Sequence, residues 1–100
     1  MALIQVTSSQ LRLGADGLQK LNREWKNQVE NLESLEAELN SMWEGEANQA
    51  FHNAFQADKV QMDNFYGAIE RYVASLLAIA VKYESAESAN LETARARTYQ

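Results

Sequence analysis

The sequence has no cysteine, no proline, one histidine and four glycines in 100 residues, and each shortage closes off a class of protein. Without cysteine there is no disulfide scaffold, no thiolate metal site and no thiol nucleophile. Proline is absent and Asp16-Gly17 is the one dipeptide typical of tight hairpins, so a sandwich or barrel would lack its many reversals. Bases are scarce too: nine Lys and Arg against fourteen Asp and Glu leave a formal charge of −5, the wrong sign to gather nucleic acid. One mostly helical domain with few turns remains.

What is present is periodicity. Leu11, Gly14, Leu18, Leu21, Trp25, Gln28, Leu32, Leu35, Leu39 and Met42 alternate spacings of three and four, the pattern of a heptad seam. Thr7 with Gln10 three residues later reads as a capping box. The spacing therefore predicts helix 1 over about residues 8–42. The pattern breaks at Trp43-Glu44-Gly45-Glu46, where Gly45 suits a C′ residue in the left-handed conformation.

A second seam follows: Phe51, Phe55, Asp58, Met62, Phe65, Ile69, Tyr72, Leu76, Ile79, Tyr83 and Ala86. It predicts helix 2 over about 47–90, joined through the turn at 43–46 and leaving a flexible tail at about 91–100. By helix rise, Tyr83 is expected level with the start of helix 1. The single domain 1–100 is thus all-α, an antiparallel two-helix hairpin.

Such a hairpin buries little on its own. From Tyr72 to Val81, nine of ten residues are apolar and cover every side of the helix, yet a bilayer span needs about 20. No transmembrane segment is expected. Burial against a second hairpin, giving a four-helix bundle, is the economical solution, with Ile69, Tyr72, Val73, Leu76, Leu77 and Ile79 as the expected interface. Glu30, Glu33, Glu36, Glu38, Glu44 and Glu46 make the turn end acidic without an intervening base, which favours antiparallel over parallel pairing.

Catalysis finds no footing. His52 has no partner spacing of a di-iron or zinc motif and reads as a helix-surface or seam-flanking residue. Gly14 and Gly17 form no phosphate-binding fingerprint, and no nucleophile and base pair is present. No catalytic residue, metal ligand or cofactor is expected. The start, Met1 to Thr7, lacks the basic and apolar regions of a signal peptide, so any export is expected to read another signal.

Two motifs exceed a purely structural reading: Trp43-Glu44-Gly45 at the midpoint, and Tyr83-x-x-x-Glu87 near the C-terminus. With the chain length and two flanking helices, they make the sequence resemble the WXG superfamily, the early-secreted-antigen-like proteins of type VII secretion systems. The resemblance implies a hairpin that dimerises and is exported folded, without a cleavable signal peptide. It implies partnership with a second copy or a paralogue and recognition by the membrane ATPase of the secretion machine. Carried over by position, Trp43 and Gly45 match the turn motif, and Tyr83 and Glu87 the export signal. Tyr66-x-x-x-Glu70 has the same spacing but falls mid-seam, where it is expected to be buried. A rival reading is an intracellular coiled-coil adaptor or chaperone holding a client on the Tyr72 to Val81 face.

Overall fold

The computed structural model describes residues 6–98 and consists of two α-helices, α1 (Ser8–Met42) and α2 (Glu46–Thr98). The capping box forms at the start of α1. Thr7 Oγ1 accepts from the Gln10 N–H at 3.2 Å, Gln10 Oε1 accepts from the Thr7 N–H at 3.0 Å, and the Thr7 carbonyl accepts the first helical bond, from Leu11 N. Thr7 is therefore the N-cap, and two otherwise orphaned donors are satisfied reciprocally.

Gly45 lies at the turn with φ of +120°, a region that side chains with a Cβ avoid. Its position differs from expectation. Gly45 is not the C′ residue of α1, which ends at Met42, but the N-cap of α2, because its carbonyl accepts from Gln49 N at 3.2 Å. Glu46 then occupies the first turn of α2, where the helix dipole favours a negative charge.

The far end of α2 is a second correction. The helix does not stop near residue 90 but continues to Thr98. The local sequence here, Leu91-Glu92-Thr93-Ala94-Arg95-Ala96, carries neither Gly nor Pro to end a helix. Here Thr93 Oγ1 donates back to the Ala89 carbonyl at 3.0 Å.

The chain divides into two compact units. The turn unit, Gln19–Glu70, holds the end of α1, the turn and the first half of α2. The terminal unit pairs the beginning of α1, up to Leu18, with α2 from Arg71 onward. In each, the two segments run antiparallel: Asn22 bonds Glu70 and Glu36 contacts His52 in the turn unit, while Ser8 bonds Glu87 and Arg12 bonds Glu84 in the terminal unit.

The buried residues of α1 fall seven apart: Ser8, Ala15, Asn22, Val29 and Glu36. Those of α2, Val73 and Ala80, share the same spacing. Residues seven apart stay on one helix face, so this row is where each helix meets its neighbour. It lies one row over from the expected seam. Of that seam, Leu11 and Leu18 are half-buried, Trp25, Leu32 and Leu39 are exposed, and Gly14, Leu21, Gln28, Leu35 and Met42 face outward. On α2 the split repeats: Phe55, Met62, Ile69 and Leu76 are half-buried, and Phe51, Asp58, Phe65, Tyr72 and Ile79 are exposed.

The physical reason is residue size. Ala15 and Ala80, with relative exposures of 1% and 0%, let backbones approach in the terminal unit, so large side chains are displaced to the flanks. The fully covered apolar positions among the described residues are two alanines and two valines, with no large side chain among them.

Candidate functional site

At the turn, Trp43 is half-buried, its ring 5.9 Å from that of Phe51 and tilted by 44°. Asn48 staples the reversal. Its Nδ2 donates to the Trp43 carbonyl and to Asn40 Oδ1, the latter at 2.9 Å, so the C-terminal end of α1 is closed by a side chain from α2. Asn48 Oδ1 is buried without a hydrogen-bond partner among the described residues. A little further from the turn, the buried Glu36 carboxylate meets His52 Nδ1 at 2.5 Å. The histidine expected to be a surface or seam-flanking residue therefore partners a carboxylate in the pairing row. Lys59 spans to Glu33 at 3.1 Å and to Asp63 at 3.0 Å, offsetting part of the negative charge near this end.

The second motif belongs to the terminal unit. Tyr83 is 43% exposed. Glu87 is engaged: Oε1 accepts from the Ser8 N–H at 3.1 Å and Oε2 from Ser8 Oγ at 3.0 Å. Ser8 is the first helical residue of α1, whose N–H has no partner within its own helix, so Glu87 caps α1 from the opposing helix. One turn along α1, Arg12 Nε donates to Glu84 Oε1 at 2.5 Å. That hydrogen bond, with the guanidinium charge, holds the Glu84 carboxyl below the usual carboxylate range and raises Arg12 above its ordinary value.

The expected site residues thus lie in two pairs, Trp43 and Gly45 in the turn unit and Tyr83 and Glu87 in the terminal unit. Spacing could not reveal Ser8, because a hydrogen bond across 79 positions of sequence leaves no local pattern, nor Asn48, whose partners Trp43 and Asn40 lie across the turn, outside the helical periodicity. Tyr66 and Glu70 are tied to α1. Asn22 Nδ2 donates to the Tyr66 carbonyl at 3.1 Å and to Glu70 Oε1 at 3.3 Å, and Lys26 Nζ lies 5.2 Å from the Tyr66 ring centroid.

The expected interface residues divide. Tyr72 and Ile79 are exposed, Ile69, Leu76 and Leu77 are half-buried, and Val73 is 6% exposed. Val73 sits in the row that packs on α1, so it is a core residue of its own chain and not part of an outward surface. In the turn unit Leu21, Leu35, Met42, Phe51 and Phe65 also point outward. Trp25 bridges the helices there, with Nε1 donating to the Met62 carbonyl at 3.2 Å and its ring edge-on to Phe65 at 5.2 Å.

A family model described as WXG100, proteins of 100 residues with WXG, matches residues 3–88. The chain belongs to the WXG100 family. The match takes in both Trp43-x-Gly45 and Tyr83-x-x-x-Glu87. Solved structures similar to this WXG100 chain include the wild-type secreted protein EsxB from Bacillus anthracis strain Sterne, at 26% identity and a TM-score of 0.74, over 83% of this chain and 89% of that one. A selenomethionine-labelled structure of the same secreted protein aligns at 25% identity and a TM-score of 0.77, over 87% of this chain and 99% of the other. No curated protein sequence matches the chain. Membership makes this a small helical protein associated with type VII secretion. Among the described residues, no helix is long and apolar enough to cross a membrane, and no group of three or more His, Cys, Asp or Glu side chains converges as a metal site would require.

Proposed function

We propose that this WXG100 protein is a secreted substrate and structural partner of a type VII secretion system, exported as a folded dimer and recognised by the membrane ATPase of that machine. Its work is protein-protein binding, not catalysis. The observation that carries the binding reading is the outward apolar row on both helices of a WXG100 chain: Leu21, Leu35 and Met42 on α1, and Phe51, Phe65, Tyr72 and Ile79 on α2. Apolar side chains recurring along a face mark a surface covered by a partner. A second copy is the occupant, since this chain carries both the Trp43 and the Tyr83 motifs; a paralogue would supply one of them. Antiparallel pairing brings the Trp43 turn of one subunit toward Tyr83 and Glu87 of the other, a composite surface for the ATPase.

The test is fractionation of host cultures. The protein is expected in the supernatant of wild-type cells, absent there when the secretion ATPase is deleted, and retained in cells as the Glu87→Ala variant. Secretion that ignores both changes, or a wild-type protein confined to the cytoplasm, would overturn the proposal and favour an adaptor.

A further inference from the structure

We infer that Ser8 is a positioning residue for the Glu87 carboxylate, so that the export surface is built from both helices and not from the α2 motif alone. The inference rests on the export reading above and deepens it. A glutamate on an exposed helix face normally samples many rotamers, and a receptor must then order it on binding. Here each Glu87 oxygen has its own donor, the Ser8 N–H at 3.1 Å and Ser8 Oγ at 3.0 Å. Ser8 is itself 8% exposed and sits at the first helical position of α1. The carboxylate is therefore ordered by folding, before any receptor arrives.

The arrangement also defines what such a receptor must look like. A carboxylate accepts about four hydrogen bonds and Ser8 uses two, which leaves about two for a cationic donor. Glu84, the acid beside Tyr83, is already held by Arg12, and Tyr83 presents a partly exposed ring one turn from Glu87. A partner with an apolar socket for the ring and an Arg or Lys for the carboxylate fits this face. Because Ser8 and Glu87 are 79 positions apart, the oriented carboxylate exists only when α1 has folded against α2.

Proline separates positioning from helix formation. At the first helical position the missing N–H is not needed by the helix, so Ser8→Pro removes both donors while preserving α1. In a host where ATPase-dependent export of the wild type is established, full-length Ser8→Pro is expected to keep wild-type helicity yet lose export about tenfold, the size of one lost ordering interaction. Ser8→Thr keeps both donors and should restore export. Thr7→Ala damages the capping box but leaves Ser8 and Glu87 paired, and should be exported normally. If Ser8→Pro fails to fold, Ser8→Ala, which retains the N–H alone, is expected to show an intermediate export loss, and normal export would overturn the inference. Wild-type export of folded Ser8→Pro beside blocked Glu87→Ala would overturn the positioning role and leave the export reading standing. Normal export of Glu87→Ala would remove Glu87 from the export signal and overturn the inference, while the ATPase-dependent export of the wild type stands. Equal losses in Ser8→Pro and Thr7→Ala would assign the effect to helix stability and overturn the inference.

Discussion

The carboxylates at the start of α1 are engaged with α1 itself, and that changes what their removal should do. An exposed i, i+4 pair such as Tyr83 and Glu87 would contribute only about 0.2 to 0.5 kcal/mol to a helix. As a cap bonded to both donors of Ser8, Glu87 belongs instead with helix-capping side chains, whose loss costs about 0.5 to 2 kcal/mol. Glu87→Ala is therefore expected to lower the urea midpoint measurably, while Tyr83→Ala leaves it nearly unchanged. The neighbouring pair makes a pH prediction. Glu84 is depressed in the folded state by the Arg12 hydrogen bond, so its contribution is present above its unfolded pKa and is lost as pH falls through its folded value. Arg12→Gln should move the Glu84 titration, followed by carboxyl carbon NMR, upward toward the ordinary range. An unchanged titration would mean that the pair does not persist in solution.

At the level of the elements, glycine positions separate turn from helix. Gly45 adopts φ of +120° with open space where a Cβ would project, so Gly45→Ala meets backbone strain without a steric clash, at a cost of about 1 to 2 kcal/mol. Gly17 lies inside α1 with equally open surroundings, so Gly17→Ala should stabilise by about 0.5 to 1 kcal/mol through helix propensity. Opposite shifts in the thermal midpoints of the two variants check the assignment. Helix type, the span of α1 and the reversal at Gly45 were legible in the sequence, because three-and-four periodicity and a lone glycine between seams are local signals. The facing row was not. Ser8, Ala15, Asn22 and Glu36 are small or polar, so a reading that follows hydrophobicity settles on the neighbouring row, about 100° around the helix, where Leu21 and Leu35 lie. The motif residues Trp43, Gly45, Tyr83 and Glu87 were found by resemblance, whereas Asn48 and Ser8 act through contacts that only the fold creates.

For the molecule as a whole, the displaced row separates two kinds of apolar position, and with them folding from association. Positions in the pairing row hold one chain together; positions in the outward row are expected to hold two chains together. Val73, 6% exposed, belongs to the first class, and Leu35 and Ile79, at 61% and 41%, to the second. A carboxylate introduced at Val73 would be buried without a partner at a cost of several kcal/mol, a large part of the roughly 5 to 15 kcal/mol that stabilises a domain. At Leu35 or Ile79 the same carboxylate stays hydrated in the separated chain and is penalised only when a second copy covers it. Val73→Asp is therefore expected to abolish helicity in circular dichroism, and Leu35→Asp and Ile79→Asp to yield lighter species in sedimentation equilibrium at micromolar concentration. Association places the wild type at twice the 11.3 kDa chain mass. A wild type sedimenting at the mass of one chain, with its helices intact, would show that the outward row awaits a partner other than itself; a Leu35→Asp and Ile79→Asp double variant that stays dimeric would place the interface on a different face.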